Sequence, residues 1–276
     1  IKLNGEFRQT RNAKTYSIFN NTLEFDMSDG FPLLTTKKMF WKGIVEELLF
    51  FIRGSTNSKM LEEKGVRIWQ GNTTKEFIEK CNLPYEEGDM GPMYGWNWRH
   101  FGADYDNCNT DYTGKGFDQM KKVIEEIKND PNSRRILMTD FNPAIANKGV
   151  LYPCHSLLMQ FYVRDSNILD LKMVQRSGDT LLGIPFNIAS TSLLLHIIAK
   201  LTNKIPGKVI ITLGDCHIYD SHLEAINEQL DRNPYQLPEL EIPNFTSLED
   251  VEKSSLTDYV IKNYEYHPSI KAKMIA

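Results

Sequence analysis

Apolar positions recur at helical spacing through residues 39–53, MFWKGIVEELLFFIR, and predict a long, largely buried helix closed by Gly54. The same spacing predicts a short helix in NSKMLEEKG, ended by Gly65, and an amphipathic one in GFDQMKKVIEEIKNDP, stopped before Pro131. NIASTSLLLHIIAKLTN, residues 187–203, is apolar around most of its circumference and predicts a central helix. Alternation predicts strands elsewhere: two in residues 15–26 with a turn at Asn20–Asn21, one in RRILMTDF, and a pair, SLLMQFYVRD and ILDLKMVQRS, joined at Asp165–Asn167. KVIITLGDCHIYDSHLEAINEQLDR passes from a strand through a loop into a helix. Residues 85–116 are rich in Gly, Asp, Asn and aromatics and predict a long irregular segment, a length that in a compact domain often serves function. Residues 258–276 read as extended.

No linker, repeat or composition break divides the 276 residues, so the expectation is one domain of mixed α and β structure, residues 1–276, without strict βαβ alternation. The net charge of −4 gives no basic footprint for a nucleic-acid binder. Cys81, Cys108, Cys154 and Cys216 contain no CxxC pair, which argues against zinc and against a disulfide scaffold and favours a reducing compartment. The run IVEELLFFI is too short, with two glutamates, to span a bilayer. No signal peptide or membrane anchor is evident, and no P-loop or Rossmann glycine motif. Ile1 in place of a methionine points to processing, trimming or a longer polypeptide before it.

Five polar stretches invite a chemical reading. In VLYPCHSL, Cys154 sits between Pro153 and His155. Taken alone it is most simply a small buried hydrophobe. Arg134, Arg135 and Arg176 on nearby strands can converge on it, and guanidinium charge favours the thiolate. In MVQRSGDTLLGIPFNIAS, the residues Gln175, Arg176, Ser177, Asp179 and Asn187 lie in apolar surroundings that make unpaired polar groups costly. The plainer account makes Asn187 a helix cap and Ser-Gly-Asp a turn. Adjacent Arg134 and Arg135 on a strand point to opposite sides, so joint service to one anion implies a loop or a subunit boundary. His217 and Tyr219 share a face if extended, as a sugar contact needs or as two partly buried polar residues do. Of Glu46 and Glu47, one is expected on the solvent face of its helix.

PCHSLLMQFYV, QRSGDTLLGIPFNIAS and LGDCHIYDSH together resemble the thymidylate synthase family, and the resemblance runs from FPLLTTKKMFWKGIVEELLFFIRGSTN through GPMYGWNWRHFGA and DPNSRRIL to HPSIKAKMIA. It implies a single α+β domain, a mixed twisted sheet covered by helices, packing by its sheet face in a homodimer with shared sites. It implies reductive methylation of dUMP to dTMP with 5,10-methylenetetrahydrofolate, without metal. By the resemblance Cys154 is the nucleophile that adds to C6 of uracil, Arg176 and Ser177 hold phosphate with Arg134 and Arg135 of the partner subunit, and Asn187 reads the pyrimidine edge. Gln175 falls in the same substrate motif, His217 and Tyr219 match contacts to the 3′-hydroxyl, Glu47 manages proton transfers, and Tyr94 and His155 match positions close behind the reacting atoms. Ile68, Trp69, Asp179, Leu182, Gly183 and Phe186 match the folate pocket, with Asp179 on the pterin; Lys37 matches a contact to the glutamate tail, and Met274 to Ala276 the closing tail. Some family members carry a dihydrofolate reductase ahead of this domain. The implied place is the cytoplasm, with nucleus or organelle as alternatives.

The chain departs from the family at RQTRNAKTYSIF, where Arg-Thr-Gly-Thr-Gly-Thr is usual. Counting back from Phe19 puts Thr10 where the phosphate-binding arginine belongs; Arg11 is one place off, and Arg8 or Lys14 are substitutes. TDFNP replaces the more usual Ala-Trp-Asn-Pro, with Phe141 where Trp is common, and Val174 stands where Tyr is frequent; packing changes are expected from both. Two rival activities share these motifs: a dUMP hydroxymethylase, which lets water reach the intermediate, and a non-catalytic nucleotide- or RNA-binding homologue. Asn187 argues against a dCMP hydroxymethylase, which carries Asp there.

Overall fold

The structure, a computed structural model, describes residues 1–10 and 13–275. Its strands are β1 (Glu6–Gln9), β2 (Lys14–Asp26), β3 (Leu137–Met138), β4 (Leu158–Arg164), β5 (Ile168–Asp179), β6 (Ile205–Tyr219), β7 (Glu239–Glu241) and β8 (Val260–Lys262). Its helices are α1 (Trp41–Ile52), α2 (Lys59–Glu63), α3 (Lys75–Lys80), α4 (Gly95–His100), α5 (Gln119–Asn129), α6 (Gly183–Leu201), α7 (Leu223–Leu230) and α8 (Leu248–Lys253). Six strands form one mixed sheet in the order β1-β2-β6-β5-β4-β3. All its pairs are antiparallel except β5 with β6, which α6 joins as a crossover. β7 and β8 make a separate antiparallel pair.

Side-chain alternation sets the two faces of the sheet. Met159, Phe161 and Val163 of β4 are buried, while Gln160 and Tyr162 between them are exposed. At the β4–β5 turn the Asn167 N–H donates to the Arg164 carbonyl at 3.2 Å, and Asp165 and Ser166 both take positive φ, 51° and 61°, as a primed hairpin turn requires. α6 covers the core face over β5 and β6, and α1 packs against α6. Leu193, Leu195 and Ile197 of α6 are fully inaccessible, and each such side chain contributes about 1.5–3 kcal/mol by leaving water. Among the described residues α6 is the helix long and apolar enough to cross a membrane, and burial in this core accounts for that composition.

Several expectations need correction. Residues 15–26 form one continuous strand: Asn20 absorbs the irregularity at φ 67°, and no turn forms because β6 pairs along both halves. RRILMTDF contributes only β3, and Arg134 and Arg135 lie in a turn before it rather than on opposite faces of a strand. α6 begins at Gly183, four residues earlier than expected, since Pro185 is tolerated in a first turn; Asn187 therefore lies inside the helix and does not cap it. Glu46 and Glu47 are both buried, because α1 is covered on all sides; Lys64 pairs with Glu46 at 2.5 Å. The irregular segment contains α4, and the extended tail contains β8.

Candidate active site

The carboxyl ends of the parallel pair β5 and β6 bring the polar residues together. Their register sets Ser177 beside Asp215 and Asp179 beside His217. Ligands in open sheets with such a crossover gather at this end of the strands. The nucleophile candidate is fastened to the same place, since the Arg176 N–H donates to the Cys154 carbonyl at 2.7 Å. The Arg176 guanidinium donates to the carbonyls of Pro153 (3.1 Å) and Tyr152 (3.3 Å) and lies over the Tyr152 ring.

Cys154 is half-buried and its sulfur is 3.4 Å from the Tyr94 hydroxyl. Tyr94 stacks on His155 with centroids 4.4 Å apart and planes 12° from parallel. Its backbone is held at φ 47°, a strained setting for a bulky residue. Close approach of α4 to α1 imposes it: a Cβ on Gly95 would lie 2.1 Å from the Phe51 carbonyl oxygen. The sequence suggested that arginine favours the thiolate, and Arg176 does pull that way. Burial acts more strongly and pushes the Cys154 thiol up; the charges of Asp140 and Glu47 add to it, while the Tyr94 hydroxyl opposes. Tyr94 itself is pushed well up, by burial first and then by the charges of Cys154 and Asp140. Glu47 accepts from Trp69 Nε1 at 2.8 Å, and burial raises its carboxyl to about 7. Trp69 lies 5.9 Å from Tyr94, so Glu47, Trp69, Tyr94 and Cys154 form one continuous wall.

A cavity of about 350 Å³ is lined by Thr10, Thr15, Arg176, Ser177, Asp215, His217 and Tyr219. His217 Nδ1 is 2.7 Å from Asp215 Oδ1, and the Tyr219 ring meets His217 edge-on, as expected for two residues on one strand face. Arg8 reaches the rim, 3.5 Å from Asp215. Thr10, which the resemblance would set in the place of the phosphate-binding arginine, lines this cavity, and Arg8 brings a guanidinium from another direction. Arg11 lies outside the described residues. Gln175 is buried, donates to the Ser177 carbonyl at 3.0 Å and, among the described residues, leaves its own side-chain oxygen unpaired. Arg134 and Arg135 are exposed and do not line this cavity.

A second cleft of about 620 Å³ is lined by Phe40, Arg67, Ile68, Asn72, Phe77 and Met274, among others. Its apolar walls suit a flat aromatic ligand, and Arg67 suits an anionic end. Leu182 packs beside Leu181, Ile218 and Ile226; Gly183 opens α6; Phe186 is partly buried in its first turns. Asn187 follows on α6, half-buried, and its amide has no protein partner among the described residues. Asp179 accepts from the Leu181 N–H at 2.9 Å. Lys37 is turned inward, donates to the Leu181 carbonyl, and burial lowers it to about 8, opposed by Asp179. Its ammonium is therefore not open at the cleft mouth as a tail contact needs. Ala276 lies outside the described residues, but Lys273 is docked: its carbonyl is 2.8 Å from His222 Nε2.

Sequence reasoning overlooked Asp215, His222, Asp140 and Ser156. Asp215 and His222 stand inside a motif that was singled out for His217 and Tyr219, so their position was available. Asp140 is wholly buried and accepts from the Ser156 hydroxyl at 2.9 Å, a pairing visible only once β3 and β4 are aligned.

The family model described as thymidylate synthase matches residues 1–276. Thymidylate synthase of Homo sapiens is 47% identical over 94% of this chain and 82% of its own length. That of Saccharomyces cerevisiae is 45% identical over 98% of this chain and 92% of its own. The bifunctional dihydrofolate reductase-thymidylate synthase of Zea mays is 47% identical over 94% of this chain, which spans about half (49%) of that relative's length. With a mixed-sheet α+β domain and a cysteine set among Tyr94, Glu47 and Arg176 already in place, a match of this extent shows that the chain belongs to the thymidylate synthase family.

Proposed function

We propose that the chain converts dUMP to dTMP, with 5,10-methylenetetrahydrofolate as carbon and hydride donor and dihydrofolate as the second product. The observation that carries this is Cys154, clasped by Arg176 on one side and facing Tyr94, Trp69 and Glu47 on the other, in a chain matched by the family along its whole length.

Cys154 Sγ adds to C6 of the uracil ring, and the C5–C6 electron pair shifts toward O4, which makes C5 nucleophilic. The addition requires the thiol proton to leave, and Tyr94 is placed to steady the sulfur. The Asn187 amide donates to O4 and accepts from N3–H, which selects uracil. Glu47, poised near neutrality, accepts and returns protons. Arg176 and Ser177 hold the phosphate, and His217 and Tyr219 hold the 3′-hydroxyl. The folate supplies the one-carbon unit and the hydride when bound. Trp69 and the docked tail exclude water, which directs the outcome to methylation. Loss of the C5 proton and departure of Cys154 restore the ring.

Arg134 and Arg135 are exposed and, among the described residues, their guanidinium groups have no acceptor. Tyr162 and Phe19 are exposed large apolar side chains on the strands of the sheet. Both features support a homodimer in which Arg134 and Arg135 of the partner subunit reach this chain's phosphate. The bifunctional relatives support a reductase fused ahead of the domain, and free cysteines at all four positions suit a reducing compartment such as the cytoplasm.

Incubation with dUMP and methylenetetrahydrofolate, followed by mass spectrometry and dihydrofolate absorbance, tests the reaction. dTMP with stoichiometric dihydrofolate is expected. A 5-hydroxymethyl product, or no covalent adduct at Cys154 with a 5-fluoro analogue, refutes it.

A further inference from the structure

Asp140 stands where the family more often has alanine, in the stretch TDFNP. It has no exposed surface, its Oδ2 accepts from Ser156 Oγ at 2.9 Å, and its Oδ1 is buried without a partner among the described residues. The Ser156 hydroxyl also lies 3.1 Å from His155 Nδ1. Gln119 fixes the neighbouring backbone, since its side chain holds both the N–H and the carbonyl of Thr139. Ser156 is kept at φ 50°, so the bend that turns its hydroxyl toward both partners is built into the backbone.

We propose that Asp140 is a positioning residue which, through Ser156, decides which ring nitrogen of His155 carries the proton. A serine hydroxyl has one proton to donate. When Asp140 is neutral, its acid group donates to Ser156, Ser156 donates to His155 Nδ1, and the ring carries its proton on Nε2. When Asp140 is ionised, Ser156 donates to the carboxylate, His155 donates from Nδ1, and Nε2 becomes an acceptor. Burial pushes Asp140 up to about 8, against the Ser156 hydrogen bond, and pushes His155 down to about 4, so the ring stays neutral on both sides of the switch. The titratable groups around it are Cys154 and Tyr94, both opposed in ionising by the Asp140 charge, and His155 beyond Ser156; Arg176 and Glu47 act on the same thiol. The catalytic meaning of the switch rests on the reaction proposed above, because His155 stacks on the tyrosine that touches Cys154.

The test is the 15N shifts of His155 in the whole protein, from about pH 6 to about pH 9.5, for wild type, Asp140→Asn and Ser156→Ala. Alkylation of Cys154 by iodoacetamide is followed in parallel. The wild type is expected to pass from the Nε2–H to the Nδ1–H form near pH 8, and both variants to show no such change. Above the transition, Asp140→Asn should alkylate faster than wild type, because a carboxylate charge that opposes the thiolate is gone. A wild-type tautomer independent of pH, or a switch that survives in either variant, overturns the proposal. If Asp140→Asn fails to fold, Ser156→Ala decides the question, since it breaks the relay and leaves the acid in place. Neither measurement uses nucleotide or folate. A switch in a chain that makes no dTMP sinks the reaction and keeps the relay; dTMP formation without the switch does the reverse.

Discussion

Replacing Glu47 with glutamine keeps the side chain's shape and an oxygen to accept from Trp69 Nε1, but removes its ability to ionise. Burial raises this carboxyl from an ordinary 4.5 to about 7. A carboxyl whose pKa is higher in the folded than in the unfolded state opposes folding once the unfolded chain can ionise. Wild-type stability from this group is therefore complete below about pH 4.5 and is lost as pH rises toward 7. The interval from 4.5 to about 7, at about 1.4 kcal/mol per pH unit, amounts to roughly 3.5 kcal/mol. Glu47→Gln escapes that loss. Relative to wild type it should gain about 1.4 kcal/mol per pH unit through the window and level off above it. The constant difference between an amide and an acid shifts the whole curve without changing its slope. Urea unfolding at one fixed protein concentration, at several pH values from about 5 to about 8, gives the slope. dTMP formation should fall by about 10²–10⁴-fold in the same variant, the usual worth of a general acid–base group. A stability difference that stays flat with pH would show that Glu47 is ionised in the folded protein and that the proton role assigned to it is wrong.

Three further outcomes are expected. Cys154→Ser should lower turnover by roughly three orders of magnitude or more while dUMP binding stays measurable by calorimetry, and near-normal turnover would remove the covalent step. Arg8→Ala should raise KM for dUMP about fivefold to tenfold with little change in kcat, as befits a half-exposed charged contact at the cavity rim, and an unchanged KM would leave the missing phosphate arginine unreplaced by Arg8. Gly95→Ala places a methyl against the Phe51 carbonyl and should cost about 3 kcal/mol or more, seen as a lowered melting temperature; a neutral effect would mean that α4 and α1 can separate freely.

Local signals were legible where one element's own pattern decided its fate. The β4–β5 hairpin, α1, α5 and α6 all follow from periodicity and turn residues near their ends. β1, β7 and β8 were not legible, because three or four residues carry no period and gain their state from a partner strand. The Asn20–Asn21 stretch has turn residues, yet pairing with β6 on both sides outweighs them. In the site, Cys154, Arg176, Asn187 and His217 stood out because polar residues in apolar stretches need a reason. Asp140 was passed over beside Phe141, whose own change is one of packing; only burial and the facing Ser156 reveal the carboxyl next to it. The thiol's direction was misjudged for a similar reason, since a sequence shows which charges are near but not how much water is removed.

Arg176 has five N–H donors, and two of them already hold the carbonyls of Pro153 and Tyr152. Three remain for an incoming anion. An anion that claims more than three must loosen the stretch carrying Cys154, while one content with the remaining three leaves it clamped. The guanidinium thus couples the cavity beside it to the stretch that carries the sulfur. Hydrogen exchange at Cys154 and His155, measured with inorganic phosphate alone, reads that coupling directly.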